Sequence, residues 1–230
     1  MPSNAPHSSM ILAAGSTVLL LCAIYVAKAE LSPLVTQGLS ERTTVRSMAA
    51  HMLSPGLSTQ SRIDFLYHCR VALTSLTGRA QPSDVRRTLL ETCSNASEAM
   101  VADTPGFSAA WYTIALVASF EHNSKRMNDA LAKSYATGPF EQWIAELRVD
   151  LVTENIDKLD ASLLDEHMQD LRNLLSNDRG RRLLAPRYLA LPTLKAQVDG
   201  VLPQIEEPAR RRFLNIVQRL LVEKGRTNGR

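Results

Sequence analysis

The chain has 230 residues, enough for one ordinary domain with at most a small satellite. Aromatic residues make up only 5% of it, while Leu and Ala are abundant, which favours helices over a sheet. A net charge of +3 is too small to mark the whole chain as a nucleic-acid binder, and three cysteines with five histidines form no metal-ligand pattern.

The first predicted element is apolar. Residues 10–27, MILAAGSTVLLLCAIYVA, carry no charge. At about 1.5 Å per residue this run extends about 27 Å, close to the hydrocarbon thickness of a bilayer. Tyr25 and Lys28 stand at its far edge, where an amphipathic ring and a long cation are tolerated. After a short tail over 1–9, the stretch 10–29 therefore reads as a transmembrane helix or a secretory signal. Ala27-Lys28-Ala29 offers a small-x-small cleavage pattern, but Met1 to Ser9 lacks the basic residues of a signal peptide, so a retained single-pass anchor is expected. Leu21 before Cys22 excludes lipid attachment there. Orientation is contested within the sequence: Lys28, Arg42 and Arg46 favour a cytoplasmic main domain, whereas Cys69 and Cys93 favour export. We take export as the expectation and a cytoplasm-facing adaptor as its alternative.

Beyond the anchor, Ser32-Pro33 starts a helix whose apolar positions include Val45, Met48, Ala49 and Met52, and Ser54-Pro55-Gly56 breaks it. A second helix over Thr59 to Leu76 has the stripe Phe65, Cys69, Ala72, Leu76. Gly78 to Pro82 turns the chain, and a third helix from Ser83 to Val101 has the stripe Val85, Leu89, Cys93, Ala96, Met100. Cys69 and Cys93 thus point inward at similar heights on adjacent antiparallel helices. They form either a disulfide, implying an oxidising compartment, or two buried thiols. His68 has no second ligand pair near it, and Asn95-Ala96-Ser97 falls in mid-helix, where a glycosylation triplet has no meaning.

The most informative stretch runs from Pro105 to Arg148. Trp111, Ile114, Ala115 and Ala118 make one helical face; His122-Asn123-Ser124 turns; Met127, Ala130, Leu131 and Ser134 make the facing stripe; Thr137-Gly138-Pro139 stops the helix. Pro105 and Pro139 lie 34 positions apart, and each precedes a tryptophan on an apolar stripe, Trp111 and Trp143. The spacing of Trp111, the small residues after it and Pro139 resembles the tetratricopeptide repeat, with a period of about 34 residues. His122 and Met127 depart from it where the repeat has small residues. Phe140, Trp143, Ile144, Leu147 and Leu151 would begin a further unit. The stretch from Trp111, with Gly138-Pro139 and Leu147-Arg148, also resembles the helical-repeat regions of bacterial envelope-polysaccharide assembly proteins. That resemblance implies a periplasmic partner module, at a bacterial inner membrane, for a larger membrane protein of glycan polymerisation or export. Trp111, Tyr112, Tyr135 and Trp143 are the candidate binding residues, although both tryptophans read more readily as repeat core.

After Asn155 the period is lost. Leu164, Met168, Leu171 and Leu175 make an amphipathic helix, Asn177 to Gly180 a turn, and Arg187 to Pro192 an irregular link. A short helix with Leu194, Val198, Val201 and Leu202 follows, then a last one from Pro208 with Phe213, Val217, Leu220 and Leu221 inward. No phosphate loop, dinucleotide fingerprint, zinc helix or nucleophile elbow occurs. Asp160, Asp165, Asp170 and Glu206-Glu207 read as solvated charges. A glycan hydrolase of the cell wall, the enzymatic alternative, would need Glu98 or Glu146 in an apolar cleft. The basic clusters Arg179-Arg181-Arg182-Arg187 and Arg210-Arg211-Arg212 with Arg219, Lys224, Arg226 and Arg230 suit an anionic lipid or lipid-linked phosphate, and without interleaved aromatics do not suit nucleic acid.

The expected fold is all-α: an anchor helix over 10–29, stacked antiparallel hairpins over 30–155, a helical cap over 156–223 and a basic tail over 224–230. No catalytic residue, metal or cofactor is expected.

Overall fold

The computed structural model describes residues 14–27, 30 and 40–228, and every regular element among them is helical. Residues 14–27 form a helix, α1, with all its side chains exposed. Among the described residues no helix is long and apolar enough to cross a membrane. The ends of the predicted anchor, 10–13 and 28–29, and the helix start at Ser32-Pro33 lie outside the described residues. By contacts the chain divides into two compact units, up to Ala96 and from Ser97 onward, the boundary falling within one long helix.

The first unit holds α2 (Glu41–Ala49), α3 (Thr59–Thr74), α4 (Leu76–Arg79) and the start of α5 (Ser83–Asp103). Serine hydroxyls start three of these helices. Ser40 accepts from the Thr43 amide, Ser58 from Ser61 and Ser75 from Gly78, each satisfying a donor that a first helical turn leaves free. Glu30 adds a charge at the start of α3, where its carboxylate accepts from the Leu57 and Ser58 amides at 2.6 and 2.7 Å and from the Ser58 and Ser61 hydroxyls. The core is Val45, Met48, Phe65, Leu66, Cys69, Ala72, Leu73, Leu89 and Cys93. The expected stripes hold except at their ends: α3 stops at Thr74, so Leu76 starts α4 and is 85% exposed, and Met52, beyond the end of α2, is exposed as well.

Cys69 on α3 and Cys93 on α5 form a disulfide, Cα–Cα 5.7 Å, with both residues out of water. The expected pairing is correct. The expected simple hairpin is not, because α4 intervenes and α2 packs on both α3 and α4.

The second unit begins with the end of α5 and continues through α6 (Ser108–Phe120), α7 (Ser124–Thr137), α8 (Gln142–Glu154), α9 (Leu164–Ser176), α10 (Asp178–Ala190), α11 (Pro192–Val201) and α12 (Glu207–Asn228). Helices α6 and α7 form a close hairpin, and α6 also packs on α8, which pairs with α9. Two short 3-10 turns, Ile156–Lys158 and Ala161–Leu163, join α8 to α9. Ile114, Ala115, Ala118, Met127, Ala130 and Leu131 are buried as the stripes require. A second cluster runs from Ala145 and Val149 on α8 through Leu171, Leu174, Leu175, Leu184 and Leu194 to Phe213 and Val217 on α12. Each fully buried leucine contributes about 1.5–3 kcal/mol.

The lead-ins to α6 and α8 repeat at a spacing of 34 residues. The Phe107 amide donates to the Thr104 carbonyl, and the Glu141 amide to that of Gly138; Phe107 and Glu141 then accept from Ala110 and Trp111, and from Ile144 and Ala145. Their backbone angles match, φ −85°, ψ 89° and φ −75°, ψ 95°, and neither helix has a side-chain cap. This register makes Trp111 the counterpart of Ala145, and Trp143 the counterpart of Ala109. The two tryptophans therefore do not occupy equivalent positions: each follows a proline, but six and four positions on.

Three readings of the last third change. Helix α10 runs unbroken through Pro186, where an irregular link was expected; Leu184 and Ala185 are fully buried beside it and hold the turn that proline weakens. Asn177 is the cap of α10, its side chain accepting from the Gly180 amide at 2.7 Å. Leu221 is exposed, and α12 continues to Asn228 through most of the expected tail.

Candidate functional site

The four candidate binding residues do not share one face. Tyr112 and Tyr135 are buried, whereas Trp111 is half-buried and Trp143 is 37% exposed. The Trp111 indole donates to the Pro105 carbonyl at 2.7 Å, and the Lys133 ammonium lies 4.8 Å above its ring. Phe140, in the lead-in to α8, is 83% exposed and adds an apolar surface one helical turn from Trp143. Phe140 and Trp143, the exposed aromatics of this unit, thus lie where the chain enters α8.

Beneath them is a polar centre that sequence patterning missed. Arg148, read as the end of a helix, is fully buried, and so is Asp170, read as a solvated charge. The guanidinium donates from Nε to Asp170 Oδ2 at 2.7 Å and from Nη2 to Oδ1 at 2.8 Å. Its remaining N–H groups reach the Ser134 carbonyl at 3.0 Å and the Gly138 carbonyl at 3.1 and 3.2 Å, both at the C-terminal end of α7. A cation there also meets the negative end of the helix dipole. Tyr135 packs its ring 4.5 Å from the guanidinium. Burial pushes the Tyr135 hydroxyl far above its ordinary range, and burial raises the Asp170 carboxyl against the opposing pull of Arg148. With all its donors engaged, Arg148 ties α7, α8 and α9 together and offers nothing to a ligand.

Gly138 completes this junction. A Cβ there would lie 2.6 Å from Ser108 Cβ and 2.9 Å from Glu141 Oε2. Ser108 in turn donates to Glu141, and its carbonyl accepts from the Ser134 hydroxyl at 3.1 Å.

A second buried polar group joins α9 to α11. His167, fully buried, meets Gln197 Oε1 at 2.9 Å, and the Thr153 hydroxyl approaches the same oxygen at 3.5 Å. Burial lowers the His167 pKa below its ordinary 6.5, with the Gln197 bond opposing. Its Nδ1 and Gln197 Nε2 have no hydrogen-bond partner.

Glu98 and Glu146, either of which a hydrolase could use, are both ion-paired. Glu98 is exposed and meets Arg126; Glu146 is covered, and Arg179 Nε stands 2.9 Å from its Oε1. Neither sits alone among apolar side chains. No group of three or more His, Cys, Asp or Glu able to hold a metal occurs among the described residues.

The arginines of this unit separate into two sets. Arg126, Arg148, Arg179, Arg181, Arg187, Arg210 and Arg211 each face a carboxylate. Arg172, Arg182, Arg212, Arg219 and Arg226 have no ion-pair partner among the described residues, Arg172 donating instead to Gln169 and Gln204. Three of these five, Arg182, Arg212 and Arg219, line a groove of about 400 Å³ between α10 and α12. Compared with known proteins, the chain matches no family model, no curated protein and no solved structure.

Proposed function

We propose that this chain is a non-enzymatic protein–protein interaction module, held at a bacterial inner membrane by residues 10–29, serving a larger membrane protein of an envelope-polysaccharide polymerisation or export assembly. The observation that carries this reading is the recurrence, 34 residues apart, of the hydrogen-bonded lead-ins to α6 and α8. Helical units stacked at such a period expose their inter-helix surfaces to partner helices and extended peptides. Phe140 and Trp143 supply rigid apolar anchors of the kind that dominate binding energy at interfaces. The Cys69–Cys93 disulfide supports a main domain on the oxidising side of the membrane.

The test is site-specific photo-crosslinking in intact membranes, with a photoreactive residue replacing Phe140 or Trp143 and a control at Arg87. A discrete adduct with one larger membrane protein, at the two aromatic positions and absent at Arg87, is the expected result. No adduct, or equal labelling at all three positions, removes the partner reading. A reporter fused at the C-terminus, active only in the cytoplasm, removes export.

A further inference from the structure

We propose that the groove between α10 and α12 is a binding site for a phosphate-bearing amphiphile, in which Arg182, Arg212 and Arg219 hold phosphate oxygens and Ile216 and Leu220 receive the start of an apolar chain. This goes beyond the interaction reading and does not depend on it.

The two walls belong to different helices, so the converging charge is a product of the fold and not of one basic run. Arg212, Arg219 and Arg226 are spaced by seven along α12 and therefore lie on one side of it. Arg182 faces them from α10. The acids at the groove are Asp178 and Glu223. Asp178 is already taken by Arg181, which does most to hold its carboxyl below the usual range, while Arg212 and Arg182 pull in the same direction from close by. Seven arginines elsewhere in the unit face carboxylates and Arg172 bonds to Gln169 and Gln204, whereas Arg182, Arg212 and Arg219 have no ion pair among the described residues. A planar guanidinium fork matches phosphate oxygens with two parallel hydrogen bonds, and three forks around one groove suit a group bearing more than one negative charge.

The floor decides between classes of phosphate ligand. Ile216 and Leu220 are half-buried and line the groove between the arginines, and no aromatic side chain lines it to stack a base. A neighbouring groove of about 510 Å³ shares Asn215, Arg219 and Glu223 and adds Val222 and Arg226, so the pairing of basic rim and apolar surface continues toward the end of α12. Cationic and apolar surface side by side is what a lipid phosphate presents a use for and a free anion does not.

The test uses the full chain in a neutral detergent, titrated by calorimetry with short-chain phosphatidic acid, with short-chain phosphatidylcholine and with inorganic phosphate. Saturable binding of phosphatidic acid, weakened by salt and stronger than that of either other probe, is expected. The pair Arg182→Gln and Arg212→Gln is expected to weaken it by about tenfold or more, and the charge-matched pair Arg86→Gln and Arg87→Gln to leave it unchanged. The single change Arg182→Gln, at an exposed side chain, is expected to weaken it about threefold without disturbing the helix signal. Phosphatidic acid that does not bind overturns the site; equal losses in the two double variants do the same. Inorganic phosphate bound as tightly as the lipid overturns the amphiphile, and phosphatidylcholine bound as tightly overturns recognition of the phosphate charge.

Discussion

Arg148 and Asp170 meet through two parallel hydrogen bonds, 2.7 and 2.8 Å, with both side chains withdrawn from water. A buried pair of this kind has a defined mutational signature. Removing one partner strands a charge in the interior, so Arg148→Ala or Asp170→Ala should each cost about 3–5 kcal/mol. Replacing both by apolar residues, Arg148→Met with Asp170→Leu, should cost far less than the sum of the two. Urea unfolding followed by far-ultraviolet circular dichroism measures the cycle. Additive losses would mean that the two side chains do not act as a unit.

Stability should fall on acidification in two stages. The fold keeps His167 neutral by burial, while the unfolded imidazole takes up a proton near 6.5. The unfolded state thus binds more protons as pH drops below about 6.5, and this contribution is complete above that value and lost beneath it. His68 has the same sign, since burial lowers it and Asp64 only partly opposes. Glu30 is lowered to about 2, chiefly by the Ser61 hydroxyl and then by Ser58, from an ordinary 4.5. Its contribution is present above about 4.5 and lost as pH falls toward 2. Urea midpoints measured from neutral pH downward should show both declines. His167→Met should reduce the upper one, leaving the part due to His68, and Glu30→Gln should reduce the lower.

The Cys69–Cys93 disulfide closes a loop across a sequence separation of 24. Cross-linking a loop of that length stabilises a fold by about 3 kcal/mol in the chain-entropy account. Reduction, or Cys69→Ser with Cys93→Ser, should lower the urea midpoint accordingly. Alkylation of the unfolded, unreduced chain followed by mass spectrometry should label Cys22 alone. Labelling of all three cysteines would show that the bond is absent from the isolated protein.

What could be read from residues alone follows from what apolar patterning reports. Cys69 and Cys93 were found because each lies on a helical stripe that ends at the same turn, and both are buried as the stripes require. The period of 34 was visible through Pro105 and Pro139, which mark the lead-ins whose hydrogen bonds do repeat. Arg148 and Asp170 could not be found this way, because a charge buried by its partner looks like a surface charge until the helices are brought together from 22 residues apart. Trp143 could be read as core or as binding surface, because helical register in α8 is counted from Glu141, which turns Ile144, Ala145 and Val149 inward and leaves the tryptophan outside. The groove arginines were legible only as basic clusters; which of them lack carboxylates depends on side-chain contacts that composition does not record.

His122 lies in the turn between α6 and α7. It takes a left-handed backbone conformation, φ 56°, just past the end of α6. Its amide donates to the Ser119 carbonyl at 3.2 Å and the Asn123 amide to that of Ala118 at 2.9 Å, the hydrogen bonds of a Schellman cap. His51, φ 52°, ends α2 in the same way, with His51 bonded to Met48 and Met52 to Ser47. A side chain with a Cβ is strained in this conformation by about 1–2 kcal/mol, and glycine is not, though glycine loses more freedom on folding. His122→Gly should therefore stabilise the protein by about 0.5–1 kcal/mol, whereas His122→Val should destabilise it. Gly138 ends α7 without that conformation, at φ −142°, and is confined instead by Ser108, so Gly138→Ala should cost about 1–3 kcal/mol through overpacking. Thermal or urea unfolding of the three variants gives the signs directly. A loss of stability in His122→Gly would show that its side chain contributes more than the strain it imposes.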